Sequence, residues 1–499
     1  MNINESVAPE VLDSALSKRA EKKEAKKEAK LAGKKSTMAA DSRPVNAAPM
    51  ISTEPPSGTR DFFPEDMRLR TWLFSLWRET AQSFGFQEYD APVLESEDLY
   101  KRKAGEEITD QMYNFIDKEG AKVTLRPEMT PTLVRMVLSR MRTSASGPAI
   151  QMADVLPLKW YSLPQCWRFE TTQRGRKREH FQWNCDINGV QGITAEMELL
   201  ACTVAFFKSV GLTPNDVGVR VNSRRILGAA LDAAGVSNEN FAKVCVIVDK
   251  IDKVGEAEVI RQLMVSDSAT TSGPGLDSET AKKVVGFVNK NFTLDTDPSL
   301  DGVAELKELF SMAAEYEIAD WLVFDASVVR GLAYYTGVVW EAFDKKGVLR
   351  AIAGGGRYDE LFSLYGAQQR VPCVGFGFGD CVIVELLKER GLLPSLSHGV
   401  DFVVASYPGC FPHGLKVAAA LRAAGARVDV ALEPGKKVAN VFKYADKMGA
   451  RAMAFVAPSE WAEGKVRVKD LRGGQEGERK EKDVSLDEMA GWREWFSHQ

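Results

Sequence analysis

Leu69, Trp72, Leu73, Leu76, Trp77, Thr80 and Phe84 recur at the three- and four-residue spacing of one helical face. The rings in that stripe read as core rather than as a ligand box. A strand is predicted next, from Gln87 to Leu94 with Pro92 inside it, and strand-like runs then alternate with polar turns as far as Val219-Arg220-Val221. From 223 to 320 the texture turns to short helices around the Ser/Thr/Gly-rich stretch Ser266 to Gly275, which predicts an inserted helical module. Sheet-like sequence returns at Trp321. Beyond a break at Pro394 to Gly399, strands at Phe402–Ala405, Arg427–Leu432 and Ala452–Val456 alternate with helices near 413–424 and 437–448, the pattern of a small α/β domain. The expected class is α+β: a mostly antiparallel sheet with flanking helices, rather than a doubly wound fold. Its parts are an N-terminal extension (1–50), a core in two pieces (51–222 and 321–395), the module (223–320) and a C-terminal domain (399–499). No internal repeat is visible.

Composition narrows the chemistry. The chain has 499 residues, 44% hydrophobic and 27% charged, the profile of a globular protein of several domains. No run approaches the roughly 18 apolar residues of a membrane span. Seven cysteines are scattered without a CxxC pair, which speaks against a zinc site or a disulfide framework and fits a reducing compartment. With four histidines and no HExxH, zinc-type hydrolysis is not expected and no protein metal site is predicted.

The net charge of −4 is uneven, because residues 18–35 hold nine Lys or Arg against three Glu. Two readings of this arm stand: a solvated, partly helical tail, or a basic arm that grips an RNA backbone. A flexible Ser/Pro/Ala/Thr-rich linker follows at 36–58. Transit peptides are poor in acids, whereas Glu5, Glu10 and Asp13 come early, so the expected compartment is the cytoplasm, with a mitochondrion or plastid as the alternative.

The segment from Cys166 to Gln182 carries the most chemistry. Two apolar-flanked runs enclose Arg174, Arg176, Lys177 and Arg178, predicting a hairpin with a cationic tip. Arg168 and Glu170, two residues apart on the first run, share a face. An arginine on a rigid strand suits a phosphate by bidentate geometry, although a solvated basic hairpin would look the same. Upstream lies Leu125-Arg126-Pro127-Glu128-Met129-Thr130-Pro131. Downstream lie Val329-Arg330-Gly331-Leu332-Ala333-Tyr334-Tyr335-Thr336-Gly337, Gly354-Gly355-Gly356-Arg357-Tyr358-Asp359 and Val374-Gly375-Phe376-Gly377-Phe378-Gly379. A glycine-rich strand permits close approach of a flat ligand such as adenine, and each glycine run taken singly would equally make a turn or bulge.

Together and in this order the segments resemble the class II aminoacyl-tRNA synthetases, specifically the histidyl-tRNA synthetases, over residues about 57–395. The terminal domain resembles their anticodon-binding module. The resemblance implies a class II antiparallel catalytic sheet and a reaction in which ATP activates L-histidine as an adenylate before transfer to tRNA(His). It implies that Arg168 holds the α-phosphate, with Glu170 near the adenine, Arg176 and Arg178 reaching the outer phosphates, and Gly377 and Gly379 lying against ATP. Glu128, Thr130 and Gln182 match positions that hold the substrate's ammonium. Asp186 and Tyr335 match those that grip the imidazole, and Tyr358 lines the pocket. Arg330 matches an arginine contacting the carboxylate and α-phosphate, and Gln173 a reader of the tRNA acceptor end. Mg²⁺ bridging phosphates and a homodimer formed near Pro92 are implied by the same analogy.

Three positions depart from the family's common pattern. Asp186 stands for a glutamate, Ala333 for an aspartate, and Val382 for an arginine that stacks on ATP. The alternative reading is a catalytically silent, synthetase-like module that binds histidine or RNA. Against it stand the retained Arg168, Arg176, Arg330, Gln182 and Tyr335 and the apparent anticodon-binding domain. A class II enzyme for another amino acid is disfavoured by the RGL-x-YYTG element.

Overall fold

The computed structural model describes residues 51–102, 106–141, 156–266, 273–288, 292–328, 334–397, 399–433, 438–472 and 481–496. The basic arm at 18–35 lies outside the described residues, as do Arg330 and Ala333.

Seventeen strands are described. In the catalytic part they are β1 (Gln87–Glu88), β2 (Leu94–Ser96), β3 (Tyr113–Ile116), β4 (Lys122–Leu125), β5 (Leu158–Ser162), β6 (Gln165–Trp167), β7 (Glu179–Asn188), β8 (Val217–Ser223), β9 (Leu322–Phe324), β10 (Val338–Asp344), β11 (Ala353–Arg357) and β12 (Cys373–Gly379). The main sheet runs β1-β5-β7-β12-β11-β10-β8-β9, with β6 paired to β7. Only the outer pairs β1–β5 and β8–β9 are parallel. The α+β class and the mostly antiparallel sheet are as expected.

β7 sits at the centre, and its sequence explains the layering. Phe181, Trp183, Cys185 and Ile187 alternate with His180, Gln182, Asn184, Asp186 and Asn188, so successive side chains leave opposite faces. On the apolar face lies the main core, which helices Pro64–Ser83 and Thr194–Ser209 cover through Leu73, Trp77, Leu199, Phe206 and Phe207. Trp77 stacks on Trp183 with centroids 6.0 Å apart. The polar face is left for the site.

One expectation is corrected. The predicted strand from Gln87 to Leu94 is two strands in different sheets: β1 joins the main sheet, and β2 joins a three-stranded sheet ordered β2-β4-β3. Proline has no N–H for a ladder and fixes φ, so Pro92 ends pairing there. The buried Arg126 fastens the break by donating from Nη1 to Ala91 O at 2.7 Å.

The residues expected to form the helical module, 223–320, divide between two cores. Its own core gathers Leu227, Leu231, Val244, Val248, Val259, Leu263, Val284 and Val288. Helix Val303–Glu315 instead sends Val303, Leu306, Leu309 and Ala313 into the main core. Apolar periodicity reports that a helix has a buried face, but not which core receives it.

The C-terminal part forms a separate five-stranded sheet from β13 (Phe402–Ser406), β14 (Val428–Val430), β15 (Ala452–Val456), β16 (Lys465–Asp470) and β17 (Glu481–Ser485), ordered β14-β13-β15-β16-β17. The first three are parallel, as an α/β alternation requires. The last two add an antiparallel edge, absent from the sequence-based reading because its charged residues obscure a period of two. Val466 and Val468 are buried, while Arg467 faces Asp483 at 3.0 Å across the strands. Among the described residues no helix is long and apolar enough to cross a membrane.

Candidate active site

The polar face of β7 lies beside β12, where Asp186 pairs with Gly375, Asn184 with Gly377 and Gln182 with Gly379. Glycine is a steric necessity at the first of these. A Cβ on Gly375 would sit 2.0 Å from Asp186 Oδ1 and 2.9 Å from Cys185 O. On β11, a Cβ at Gly356 would stand 2.9 Å from the ring of Tyr335. The glycine runs thus let polar and aromatic side chains lie flat over the sheet.

An inner cavity of about 210 Å³ opens on this surface. Glu128, Thr130, Gln182, Asn184, Tyr334, Tyr335 and Tyr358 line it, with Gly354, Gly375 and Gly377 as its floor and Arg168 at one end. Thr130 opens helix Thr130–Met141, and Glu128 precedes it on a segment held by Tyr100, whose hydroxyl donates to Glu128 O at 3.1 Å. Tyr334 donates to Glu128 Oε2 at 3.5 Å. Burial, then the charge of Glu128, raises the Tyr335 phenol, so it stays a neutral hydroxyl.

Asp186 does not line this cavity directly. It is buried, its carboxylate lies over Gly375 on the same face of the sheet, and its Oδ1 accepts from Tyr358 at 2.5 Å. Burial and the Asp186 charge push the Tyr358 phenol well up, which keeps its proton on.

An outer cavity of about 230 Å³ adjoins the inner one. Its walls are the hairpin residues Arg168, Glu170, Gly175, Arg176, Lys177 and His180, the segment 350–354, and residues 379–382. Arg168, Gly354 and Gly377 belong to both cavities, so Arg168 marks the seam. It lies one residue past β6, and its Nε donates to Pro127 O at 3.0 Å, tying the hairpin to the loop that carries Glu128. Arg176 is ion-paired with Glu170. Burial first, then the charges of Arg168, Arg60 and Arg176, push the His180 imidazole down to about 3, leaving it neutral in neutral solution.

A family model described as Histidyl-tRNA synthetase matches residues 58–379, and one described as Anticodon binding domain matches 402–492. The chain belongs to the histidyl-tRNA synthetase family. It is 46% identical over 431 residues to the Arabidopsis thaliana protein named histidine–tRNA ligase, chloroplastic/mitochondrial, covering 85% of each chain. It is 38% identical over 460 residues to the histidine–tRNA ligase of Opitutus terrae, covering 88% of this chain and 98% of that one. The crystal structure of histidyl-tRNA synthetase from Nostoc sp. PCC 7120 has the same fold, with a TM-score of 0.70 at 23% identity over 89% of this chain and all of that one.

Set against the histidyl-tRNA synthetase site expected from the sequence, the structure brings Glu128, Thr130, Gln182, Tyr335, Tyr358 and Gly377 together around the inner cavity. Glu170, Arg176 and Gly379 fall on the outer one, and Arg168 joins the two. Arg178 departs from its expected place. Its Nε donates to Glu170 O and its Nη1 to Ser57 O, both at 3.2 Å, and its guanidinium stacks 4.0 Å from the Phe169 ring centroid. Such a set of contacts fastens the hairpin base rather than presenting a cation to a ligand. Gln173 is exposed at the hairpin tip, where its backbone pairs with that of Arg176.

Asn184 and Arg350 line the cavities without having been expected there. Asn184 was findable: it lies two residues after Gln182 on a strand and so must share its face. Arg350 belongs to no motif.

Tyr358→Phe is expected to raise KM for histidine about five- to tenfold and leave KM for ATP unchanged, since it removes one buried hydrogen bond beside the inner cavity alone. Steady-state pyrophosphate exchange at varied histidine and varied ATP checks this. A change confined to ATP would count against the inner-cavity assignment.

Proposed function

We propose that this chain makes histidyl-adenylate at the seam between its two cavities, with histidine in the inner one and ATP in the outer. The activity is that of the family: histidine is attached to tRNA with ATP consumed, the reaction of a histidine–tRNA ligase. The observation that carries the site assignment is the place of Arg168. Adenylation is an in-line attack by a carboxylate on the α-phosphorus, so two anions must be brought together and the charge of the transition state neutralised. The nucleophile is already ionised and needs no general base. An arginine shared by an amino-acid-sized cavity and an anion-binding cavity meets that requirement.

Selection of histidine then rests on the inner cavity. Neutral Tyr335 and Tyr358 can donate to or accept from an imidazole, Asp186 fixes the Tyr358 hydroxyl, and Glu128 and Gln182 offer oxygens to the ammonium. A site built to pair two ring nitrogens rejects amino acids that lack them, so no editing step is needed. Arg330 is assigned to the carboxylate by the family pattern. The direct test is ATP–pyrophosphate exchange with each amino acid in turn: histidine alone should support it, and exchange with none would favour a silent module.

Mg²⁺ is placed with the nucleotide. The carboxylates on the outer cavity are Glu170, paired with Arg176, and Asp380, which accepts from Phe181 N and from Arg60. Among the described residues no three potential ligand side chains are gathered for a metal. This donor set does not make a protein metal cage, and no step is assigned to the ion.

Gln173 is assigned to the acceptor end of tRNA(His), because the hairpin tip carries it exposed beside the cationic residues of the outer cavity. Gln173→Ala is expected to slow aminoacyl transfer roughly tenfold, the effect of one lost hydrogen bond, and to spare adenylation. Single-turnover transfer measured alongside pyrophosphate exchange checks it, and equal loss in both would make the residue structural.

A homodimer built on the small sheet is supported by Leu94, Phe115 and Ile116, which lie exposed on β2 and β3. For the compartment, the organelle alternative to the cytoplasm gains weight from the 46%-identical relative whose name is chloroplastic/mitochondrial. Fractionation of cells carrying a C-terminally tagged full chain separates the two.

A further inference from the structure

We propose that Arg350 is a phosphate-binding residue which, from the turn between β10 and β11, grips the outer, pyrophosphate end of ATP. The assignment rests on the adenylation reading above and deepens it. Val382, where the family pattern leads one to expect an arginine, lies in the wall of the outer cavity as a buried apolar side chain. It packs under the hairpin loop, where a Cβ on Gly175 would stand 3.3 Å from its Cγ2. That wall therefore offers the nucleotide no cation at this position.

The strand register shows where one is found. β11 pairs with β12 so that Ala353 faces Phe378 and Gly354 faces Gly377, and Gly379 N donates to Ile352 O at 3.3 Å, one step further along. The segment that precedes β11 therefore lies against the start of helix Asp380–Arg390, which carries Val382. Both Arg350 and Val382 line the outer cavity. The outer cavity thus has an arginine on the turn that precedes β11, on the wall that also carries Val382.

Charge shows what Arg350 would bind. The outer cavity carries the carboxylates Glu170 and Asp380 among its lining, together with Arg168, Arg176, Lys177 and Arg350. Arg168 is at the inner seam, where the α-phosphate must lie for attack. Arg176 shares its charge with Glu170, and Asp380 is matched by Arg60 at 2.9 Å. Neutral His180 adds nothing. The two outer phosphates of ATP bring several further negative charges to this cationic lining. Arg350 faces the same space from the other wall, and a planar guanidinium can hold two phosphate oxygens at once. Its side chain is exposed on a turn, so replacing it removes no core packing.

Histidine-dependent pyrophosphate exchange by the full chain tests this in the wild type, Arg350→Ala and Arg350→Lys. KM for ATP should rise about tenfold or more in Arg350→Ala, the loss expected for a charge-assisted contact, with KM for histidine within about twofold. Inhibition by AMP, which lacks the outer phosphates, should be unchanged, and Arg350→Lys, which keeps the charge but loses the planar fork, should recover only part of the ATP affinity. An unchanged KM for ATP in Arg350→Ala overturns the assignment while leaving the adenylation reading intact. So does an equal weakening of AMP and ATP, which would place Arg350 on the adenine or the α-phosphate. A wild type that exchanges no pyrophosphate with histidine overturns the adenylation reading and this assignment with it.

Discussion

Arg168→Ala is expected to lower histidine-dependent pyrophosphate exchange by about two to three orders of magnitude, the usual effect of removing one donor aimed at charge that develops in a transition state. The expectation follows from its position, since Arg168 alone of the cationic residues described lines both cavities. Its loss should appear mainly in kcat, because the charge it neutralises is greatest as carboxylate and α-phosphate meet. The fold should survive, since the side chain is anchored by its bond to Pro127 O while the hairpin is also held by the β6–β7 pairing. Arg168→Lys should recover little, because an ammonium cannot donate to Pro127 O and still present a planar fork to phosphate. Single-turnover adenylate formation gives the rate, and circular dichroism confirms folding. A decrease smaller than about threefold would remove Arg168 from the chemistry.

Glu196→Ala is expected to give a large loss of stability, about 3–5 kcal/mol, as happens when one partner of a buried ion pair is removed and its counter-charge is stranded. Glu196 is fully buried in helix Thr194–Ser209 and meets Arg357 in a two-pronged contact, Nε to Oε1 at 2.5 Å and Nη2 to Oε2 at 2.6 Å. Arg357 further donates to Val190 O, Gly192 O and Asp359. It therefore clamps the end of β11 to the loop after β7 and fixes the Tyr358 that follows. Glu196, with Asp359, holds the guanidinium firmly protonated against its burial, so alanine would leave a charge that cannot be shed. Urea unfolding should show a clearly lower midpoint, and histidine KM should rise because Tyr358 shifts. A midpoint unchanged within error would mean that the pair is dispensable.

Much of the machinery was legible because it depends on local pattern. The alternation along β7 is written in the residues from Glu179 to Asn188 and sends Gln182, Asn184 and Asp186 to one face whatever surrounds them. The cationic hairpin, the glycine runs and the terminal α/β domain were likewise readable from residue type and spacing, and the likeness of that domain to an anticodon-binding module from the family resemblance. Pairing and burial were not. That the chain breaks at Pro92 into two different sheets follows from which edges were free to receive it. That helix Val303–Glu315 leaves the module for the main core depends on a surface built by Thr194–Ser209. Arg178 and Arg176 look alike in sequence, yet one is spent on carbonyls and a ring and the other lines a cavity, because side-chain partners are chosen in space.

The sequence by itself determined the family, the α+β class, the reaction and the residue types on the polar face of the central strand. The class and the residue types follow from short-range periodicity, and the family and the reaction from the resemblance that the motifs carry when taken together and in order. Only the tertiary structure decided that Arg168 stands where two cavities meet, that Asp186 accepts the Tyr358 hydroxyl, and that Arg350 shares a wall with Val382. Each depends on residues far apart in the chain being brought within a few ångströms by strand register. Register is set by the packing of whole sheets, so no local stretch of sequence contains it.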